Sequence, residues 1–558
     1  MFKKLARKLQ GKESKHPFGT PENLERLIEK LTTGDVSHEL VDVDDWLVAM
    51  EDHVRQAGAV AAIAATLRLD LLARRGADLL LDGYLTPKRR EYQSETVWLA
   101  LEHHSRQLLS ACRACLSMPP GKDDSASERS RRARLLAVGL RSWALRKKLL
   151  RFRYRAPDSE YWHDGHELLK VDGGKLNNDL VRVQGDEPAT TVMREYLIGV
   201  YFEFVPVGNL LPQQLEAADR FLRRQKLEFA MEASQSSNYH IDLDEAVGPQ
   251  RQSENPAAGT PGMRHFSTER VRAVALRYAA DFAAGANHPE WLGGLTIAPE
   301  AVTSVLQILA TYWAPTPPKR EHARVAEATH LRVVFGYALA RRMVAYSRLA
   351  REGTSVSYQS TDFNHLFELR FGGRVEVGDS QVVKEVVPEE ALDQLQILQR
   401  LEVGGDGAQM ETWRQIDVSE GGVGASPPHF VSRHRVGAMI AFREEQSFEW
   451  RLAIIRRLGR VKLDGRAGLP SVGLETMPWP SLCALARQVG VEFTGDGSLW
   501  GDAILLARDV SQIILPVESF VARREFEVRS HEGLWRVCLT ALIERGIDFD
   551  HIEFQRIT

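Results

Sequence analysis

The stretch WRQIDVSEGGVGA, Trp413 to Ala425, places a carboxylate at Asp417, a short hydroxyl at Ser419 and a glycine at Gly422. D-x-S-x-x-G spacing gathers hydrogen-bond acceptors beside a residue with no Cβ, which is expected to adopt positive φ and to let a ligand approach the chain closely. That could be half of a nucleotide site. The same hexapeptide also makes a strand-end turn, in which Asp and Ser bond their own backbone and Gly takes the tight position. A nucleotide site needs cations as well. Pairs at RxxxR spacing occur at Arg151/Arg155, Arg220/Arg224, Arg320/Arg324, Arg370/Arg374 and Arg456/Arg460. Arginine's planar fork stacks on a base and grips a phosphate or a guanine O6/N7 edge with two bonds, yet arginines four apart are also common on solvated helices.

The surrounding elements decide which of these residues can meet. Apolar residues recur at helical spacing through Trp46–Leu81, Val97–Leu116, RARLLAVGLRSWALRKKLL, Arg194–Phe204 and Pro212–Phe229. AVGPQRQSENPAAGTPG, residues 246–262, is Gly/Pro/polar without a period and reads as a flexible loop or linker. Helix resumes after an N-cap at Ser267, continues through Ala301–Trp313 and stops at APTPP. Beyond Pro318 the character changes. LRVVFGY, RVGAMIAF, EWRLAIIRRL and PSVGLETM are short, β-branched and bounded by turn residues, which predicts a small antiparallel barrel. Helical patterns, ALARRMVAYSRLAREG and PEEALDQLQILQRL, interrupt it as an insertion at about 338–405. AILLARD, SQIILPVESF, REFEVRS and WRVCLTAL predict a small β-rich unit over 481–558.

Asp417-x-Ser419-x-x-Gly422, with RxxxR in a segment preceding a β-branched strand, resembles the paired signatures of PilZ domains, receptors for cyclic di-GMP. Arg320/Arg324, in PPKREHARVAEATHLRVVFG, follows a proline-rich breaker and precedes a strand as that pattern requires; Arg370/Arg374, in FELRFGGRVEV, is the competing pair. The segment from RVGAMIAF to SVGLETM is similar to the later strands of such barrels. The resemblance spans roughly 318–477. It departs from the family in the sequence distance between the two signatures, which the helical insertion lengthens. It implies that Arg320, Arg324, Asp417, Ser419 and Gly422 bind cyclic di-GMP, with the arginines folding over it. Asp417 would accept from the N1–H and N2–H₂ edge of guanine.

Composition fits a soluble globular protein of several domains, 558 residues long with formal net charge −3. It does not call for DNA. No apolar run reaches a membrane span, the N-terminus has no secretory pattern, and four cysteines suit a reducing cytoplasm. MFKKLARKLQGK could lie on an anionic membrane; a frayed solvated end is the favoured reading. Cys112-x-x-Cys115 within an apolar helix reads as packing. Tyr161–Glu167, with His163 and His166, reads as a polar loop, and Asp242–Glu245 as a helix start or acidic surface. Gly173-Gly174-Lys175 lacks phosphate-loop spacing, and His103-His104 has no catalytic partner in sight.

The expected architecture is therefore α+β and multidomain. A helical region covers 1–245, and a helical segment over 263–316 leads to a PilZ-like barrel over 317–480. The expected function is a cytoplasmic cyclic di-GMP receptor rather than an enzyme, with no cofactor, whose helical half engages a protein partner. The alternative is a structural or adaptor protein whose barrel no longer binds nucleotide.

Overall fold

The structure is a computed structural model. It describes residues 26, 29, 36–86, 91–119, 125–183, 188–225, 227, 229, 231, 237–251, 260–286, 289–316, 323–352, 410–431, 433–447, 449–463, 466–490, 500–506, 511–530 and 533–557. The chain separates into two units, Met1–Lys319 and Arg320–Thr558. Together they give a mixed α+β protein: helices dominate the first unit, and two six-stranded antiparallel barrels make up the second.

The first unit is built from α1 (Val36–Val48), α2 (Met50–Ala57), α3 (Ala59–Leu85), α4 (Glu91–Leu116), α5 (Ala126–Phe152), α6 (Ser159–Lys170), α7 (Val192–Phe202), α8 (Pro212–Arg224), α9 (Glu269–Ala283) and α10 (Pro299–Tyr312). The starts follow capping chemistry. Ser125 Oγ accepts from the Glu128 amide, Asp158 from that of Tyr161 and Thr191 from that of Arg194, while α8 and α10 begin on prolines. The N-cap of α9 is Thr268, not Ser267, although the Ser267 hydroxyl accepts from the Glu269 amide at 3.3 Å. The core closes on Trp143 of α5, which stacks on Tyr161 at 4.7 Å and on Tyr196 at 5.5 Å between ring centroids. Gly165 on α6 and Gly199 on α7 make room for that indole, since a Cβ at either would overlap it.

Two expectations change in this unit. The segment Tyr161–Glu167 is not a polar loop but the middle of α6, with Tyr161, Trp162, Asp164 and His166 buried. Asp242 ends a strand and does not start a helix. It closes β3 (Tyr239–Asp242), which pairs with β4 (Gln250–Arg251) and β5 (Met263–Phe266); two further strands, β1 (Leu180–Val181) and β2 (Thr190–Thr191), pair separately. Asp242 accepts from the Asp244 amide and from Thr260. Within the Gly/Pro-rich residues 246–262, Gln250 and Arg251 form strand β4 of this small sheet, and residues 252–259 lie outside the described residues.

The second unit opens with β6 (Val325–Ala326) and β7 (His330–Phe335), then α11 (Tyr337–Glu352). After it come β8 (Met410–Ser419), β9 (Gly422–Ser426), β10 (Met439–Glu444), β11 (Arg451–Leu463) and β12 (Arg466–Thr476). The ladder runs β8-β7-β10-β11-β12-β9, and β9 pairs back on β8, closing a ring of six; β6 extends the β7 side along β8. The second barrel is closed too, in the order β13 (Ser481–Gln488), β14 (Gly501–Leu506), β15 (Gln512–Pro516), β18 (Phe549–Ile557), β17 (Gly533–Arg545), β16 (Glu525–Ser530).

Helix α11 is the described part of the expected insertion; residues 353–409 lie outside the described residues. It packs in a core shared by both barrels. Tyr337, Ala340 and Val344 meet Val334, Met439 and Leu452 of the first barrel and Ile504, Ile514 and Phe549 of the second. Tyr337 Oη donates to the Asp502 carbonyl at 2.8 Å, and Arg341 Nη2 to that of Ala484 at 3.0 Å. Buried chain carbonyls thus receive donors from a helix, as a dry interior requires.

Candidate ligand-binding site on the first barrel

Asp417 and Ser419 both lie within β8, and the turn that follows is only two residues, Glu420 and Gly421. The register fixes this: Asp417 stands opposite Gly424 and Ser419 opposite Gly422, with an irregularity between Gln415 and Asp417. Residues two apart on a strand share a face, so carboxylate and hydroxyl point the same way. Asp417 does not bond its own backbone as an isolated turn would have it. Arg324 Nη1 donates to Asp417 Oδ1 at 2.8 Å and to Oδ2 at 2.9 Å. These residues are 93 apart in sequence, and β6 brings them together by pairing Val325 with Val418 and Ala326 with Asp417. The pair is half open to water, with side chains 29% and 23% exposed. Ser419 Oγ donates to the Gly422 carbonyl at 3.2 Å.

Gly422 departs from expectation in its reason. It does not adopt positive φ. It is glycine because a Cβ would run into the Leu474 carbonyl oxygen on β12. Gly424, passed over by the motif, makes room for Asp417: a Cβ there would stand 2.9 Å from Asp417 Cγ. The sequence GGVGA showed glycines on alternating positions, the signal that one face of β9 is bare.

Arg320 and both members of the competing pair, Arg370 and Arg374, lie outside the described residues, as does the N-terminal MFKKLARKLQGK. The other arginine pairs are engaged elsewhere. Arg151 pairs with Glu203, and Arg155 lies 5.1 Å from the centre of the Trp98 ring. Arg220 pairs with Glu216, and Arg224 donates to the Trp291 carbonyl. Arg456 bridges Glu475 of β12 and Glu544 of β17, tying the two barrels, and Arg460 donates to the Gly468 carbonyl. At one end of β8, Glu411 is clamped by Trp413, Arg433 and His434. Burial alone would raise its pKa, but those donors hold it down at about 2.

The first unit holds buried charge that periodicity did not reveal. Arg141 and Arg223 both bond Glu195; Arg223 and Lys148 both bond Asp219; Lys148 and Arg220 both bond Glu216. Burial opposes the charge on Glu195, yet Arg141 and Arg223 overcome it and hold its pKa at about 2. Lys147 is fully buried, donates to the Gly199 carbonyl at 3.0 Å and sits 3.9 Å from the centre of the Trp162 ring. Burial brings it down to about 8 against the pull of Glu203. Cys112 and Cys115 are buried packing residues whose thiols burial pushes upward, Cys115 to about 11. His104 bonds Asp44 at 2.7 Å, and His166 the Glu245 carbonyl at 2.9 Å. Among the described residues no group of three or more His, Cys, Asp or Glu is arranged to hold a metal ion, and no helix is long and apolar enough to cross a membrane.

Set against protein-family models, curated proteins and solved structures, the chain matches none.

Proposed function

We propose that the chain is a cyclic di-GMP receptor whose ligand binds the outer face of the first barrel at Asp417, Ser419 and Arg324, with Arg320 completing the arginine pair. The observation that supports this reading most directly is the meeting of Arg324 with Asp417. The two signatures of the PilZ resemblance lie far apart in sequence, yet Arg324 of the first and Asp417 of the second meet on one surface. Asp417 offers two acceptors on one side of the sheet, suited to the N1–H and N2–H₂ donors of guanine. Ser419 stands one pleat away, and Gly422 and Gly424 keep the neighbouring strand bare. In this reading the protein is a cytoplasmic receptor and not a catalyst. Its output would pass through Arg320, the first residue of the second unit, to the helical unit and a protein partner there. A ligand shifts such an equilibrium only by its differential affinity for the two states.

A second reading has its own support. Arg324 and Asp417 satisfy each other, and Ser419 is bonded to Gly422, so a barrel that no longer binds nucleotide would keep the same contacts and serve as an adaptor. Calorimetric titration of the full chain with cyclic di-GMP, GTP and cyclic di-AMP separates the two. Heat with cyclic di-GMP alone, lost in Asp417→Ala, is the receptor's result. Silence with all three is the adaptor's.

A further inference from the structure

The small sheet of the first unit sorts its side chains by face. Along β3 the order Tyr239-His240-Ile241-Asp242 alternates, with Tyr239 and Ile241 buried in the core and His240 and Asp242 half-buried. The register carries that alternation across the ladder. Tyr239 opposes Phe266, also a core residue, while His240 opposes His265 on β5 and Gln250 on β4. Directly opposed residues of antiparallel strands point to the same side, so Gln250, His240 and His265 form one row on the face turned away from Tyr239. The two imidazole rings have their centroids 6.3 Å apart. His265 is only 5% exposed, and its Nδ1 is buried with no hydrogen-bond partner among the described residues. Buried side-chain nitrogens are ordinarily bonded, so this ring nitrogen calls for an explanation.

We infer that His240 and His265 together bind a divalent transition-metal ion of the zinc class, with Gln250 and water filling the remaining positions. The inference is independent of the nucleotide reading. Imidazole nitrogen suits zinc, copper and nickel, whereas magnesium and calcium want oxygen. Cross-strand pairing sets the two rings side by side, and χ2 of histidine is a broad torsion, so ring rotation brings one nitrogen of each to the 2.0–2.1 Å of a shared ion. Gln250 adds a carboxamide oxygen at the end of the row. Asp242, two residues from His240 on the same face, is no ligand, because its oxygens accept from the Asp244 amide and the Thr260 hydroxyl. Its negative charge nevertheless favours a cation beside it. Two histidines, rather than a set of three or four strong ligands, make an open and exchangeable site and not a closed structural one. The ion would staple β3 to β5, the strands on either side of residues 243–262.

The test is calorimetry of the full chain, stripped with EDTA and returned to a non-chelating buffer, with zinc chloride as titrant. It compares wild type, His240→Ala and, as a control for a surface histidine, His163→Ala, which is exposed on α6. Wild type should take up zinc one-to-one. Losing even an outer partner of a metal ligand costs about 10–100-fold in affinity, so His240→Ala, which removes a ligand itself, should bind at least about tenfold more weakly, and His163→Ala should match wild type. Hydrogen exchange of the wild-type chain with and without zinc needs no variant: peptides of β3 and β5 should exchange more slowly with the metal, and those of β13 should not change. Absence of one-to-one zinc binding, equal affinity in His240→Ala, an equal loss in His163→Ala, or zinc binding that leaves β3 and β5 unprotected would each overturn the assignment.

Discussion

Gly422 and Gly424, two positions apart on β9, carry opposite consequences for substitution by alanine. At Gly424 the added methyl presses on Asp417, 2.9 Å from Cγ and 3.1 Å from Oδ2. That side chain is short and half exposed, and can swing to another rotamer. The loss is the pair with Arg324, worth about 0.2–1 kcal/mol at this exposure. Against it stands the stiffer unfolded chain of alanine, worth about 0.4–1 kcal/mol. Stability should move by less than about 1 kcal/mol, while the carboxylate leaves its place. At Gly422 the methyl meets backbone: the Leu474 carbonyl oxygen, its carbon at 3.5 Å and Glu475 Cα at 3.9 Å. No side-chain rotation relieves this, because β9 and β12 are held in register from Val472 opposite Ala425 to Glu475 opposite Gly422. Overpacking of this kind costs about 1–3 kcal/mol.

Hydrogen exchange on the full chain, followed by mass spectrometry on peptides covering β9 and β12, reads the difference where it arises. At 1.4 kcal/mol per tenfold, Gly422→Ala should accelerate exchange of the β9–β12 seam about 5- to 150-fold, and Gly424→Ala by less than about fivefold. Titration with cyclic di-GMP should then find Gly424→Ala deficient although its barrel is intact. Wild-type exchange in Gly422→Ala would refute the close-approach argument. Equal melting of the seam by both variants would refute the separation of fold from site and make Asp417 a structural strut.

In the helical unit, Glu195 titrates near 2, below its ordinary 4.5, so the folded state binds fewer protons there than the unfolded chain between those values. Its contribution, about 3 kcal/mol from the shift, is complete above pH 4.5 and lost as the pH falls toward 2; denaturant midpoints of Glu195→Gln across that window should show the slope flattened. Gly199→Ala places a methyl 2.9 Å from Cε3 of the fully buried Trp143 and should cost roughly 1–3 kcal/mol, read as a lower helical melting midpoint; an unchanged midpoint would mean that α5 and α7 are less tightly fitted than drawn. Arg341→Met leaves the Ala484 carbonyl without its helix donor and should destabilise the second unit by about 1–3 kcal/mol, visible as faster exchange in β13 with β9 unaffected.

The sequence disclosed what local chemistry decides. Helical periodicity marked α3, α4, α5 and α7, and β-branched runs marked β7, β10, β11 and β12, because those segments carry their burial pattern in their own residues. Ser481–Gln488, SLCALARQ, was less plain as the strand β13: alanine, leucine, glutamine and arginine favour helix, and pairing with β14 on one side and β16 on the other overrides that preference. Tyr161–Glu167 read as a loop through its polar residues, although Asp158 three positions before Tyr161 is a cap signal. The acid and hydroxyl of the candidate site stood out by spacing, but the pairing of the acid with Arg324 needed the short strand β6. The register that sets Asp417 opposite Gly424 was beyond pattern reading, because an irregularity between Gln415 and Asp417 shifts the count.

The Arg324–Asp417 pair bears on how the proposed site would choose its ligand. A guanidinium and the N1–H/N2–H₂ edge of guanine present a carboxylate with the same thing, two donors in one plane. In the receptor reading, the seat that holds Arg324 would by that chemistry suit guanine and disfavour adenine, whose N1 is an acceptor. Displacing Arg324 costs at most about 1 kcal/mol, the worth of an exposed pair, against about −8 kcal/mol for micromolar binding. The pair therefore orients Asp417 without locking it. Discrimination between cyclic di-GMP and cyclic di-AMP should consequently reside in the carboxylate. Asp417→Asn replaces one acceptor by a donor, so it should weaken cyclic di-GMP and narrow the gap between the two ligands together. A variant that binds cyclic di-GMP less well yet keeps the full gap would place the guanine reader elsewhere on the barrel.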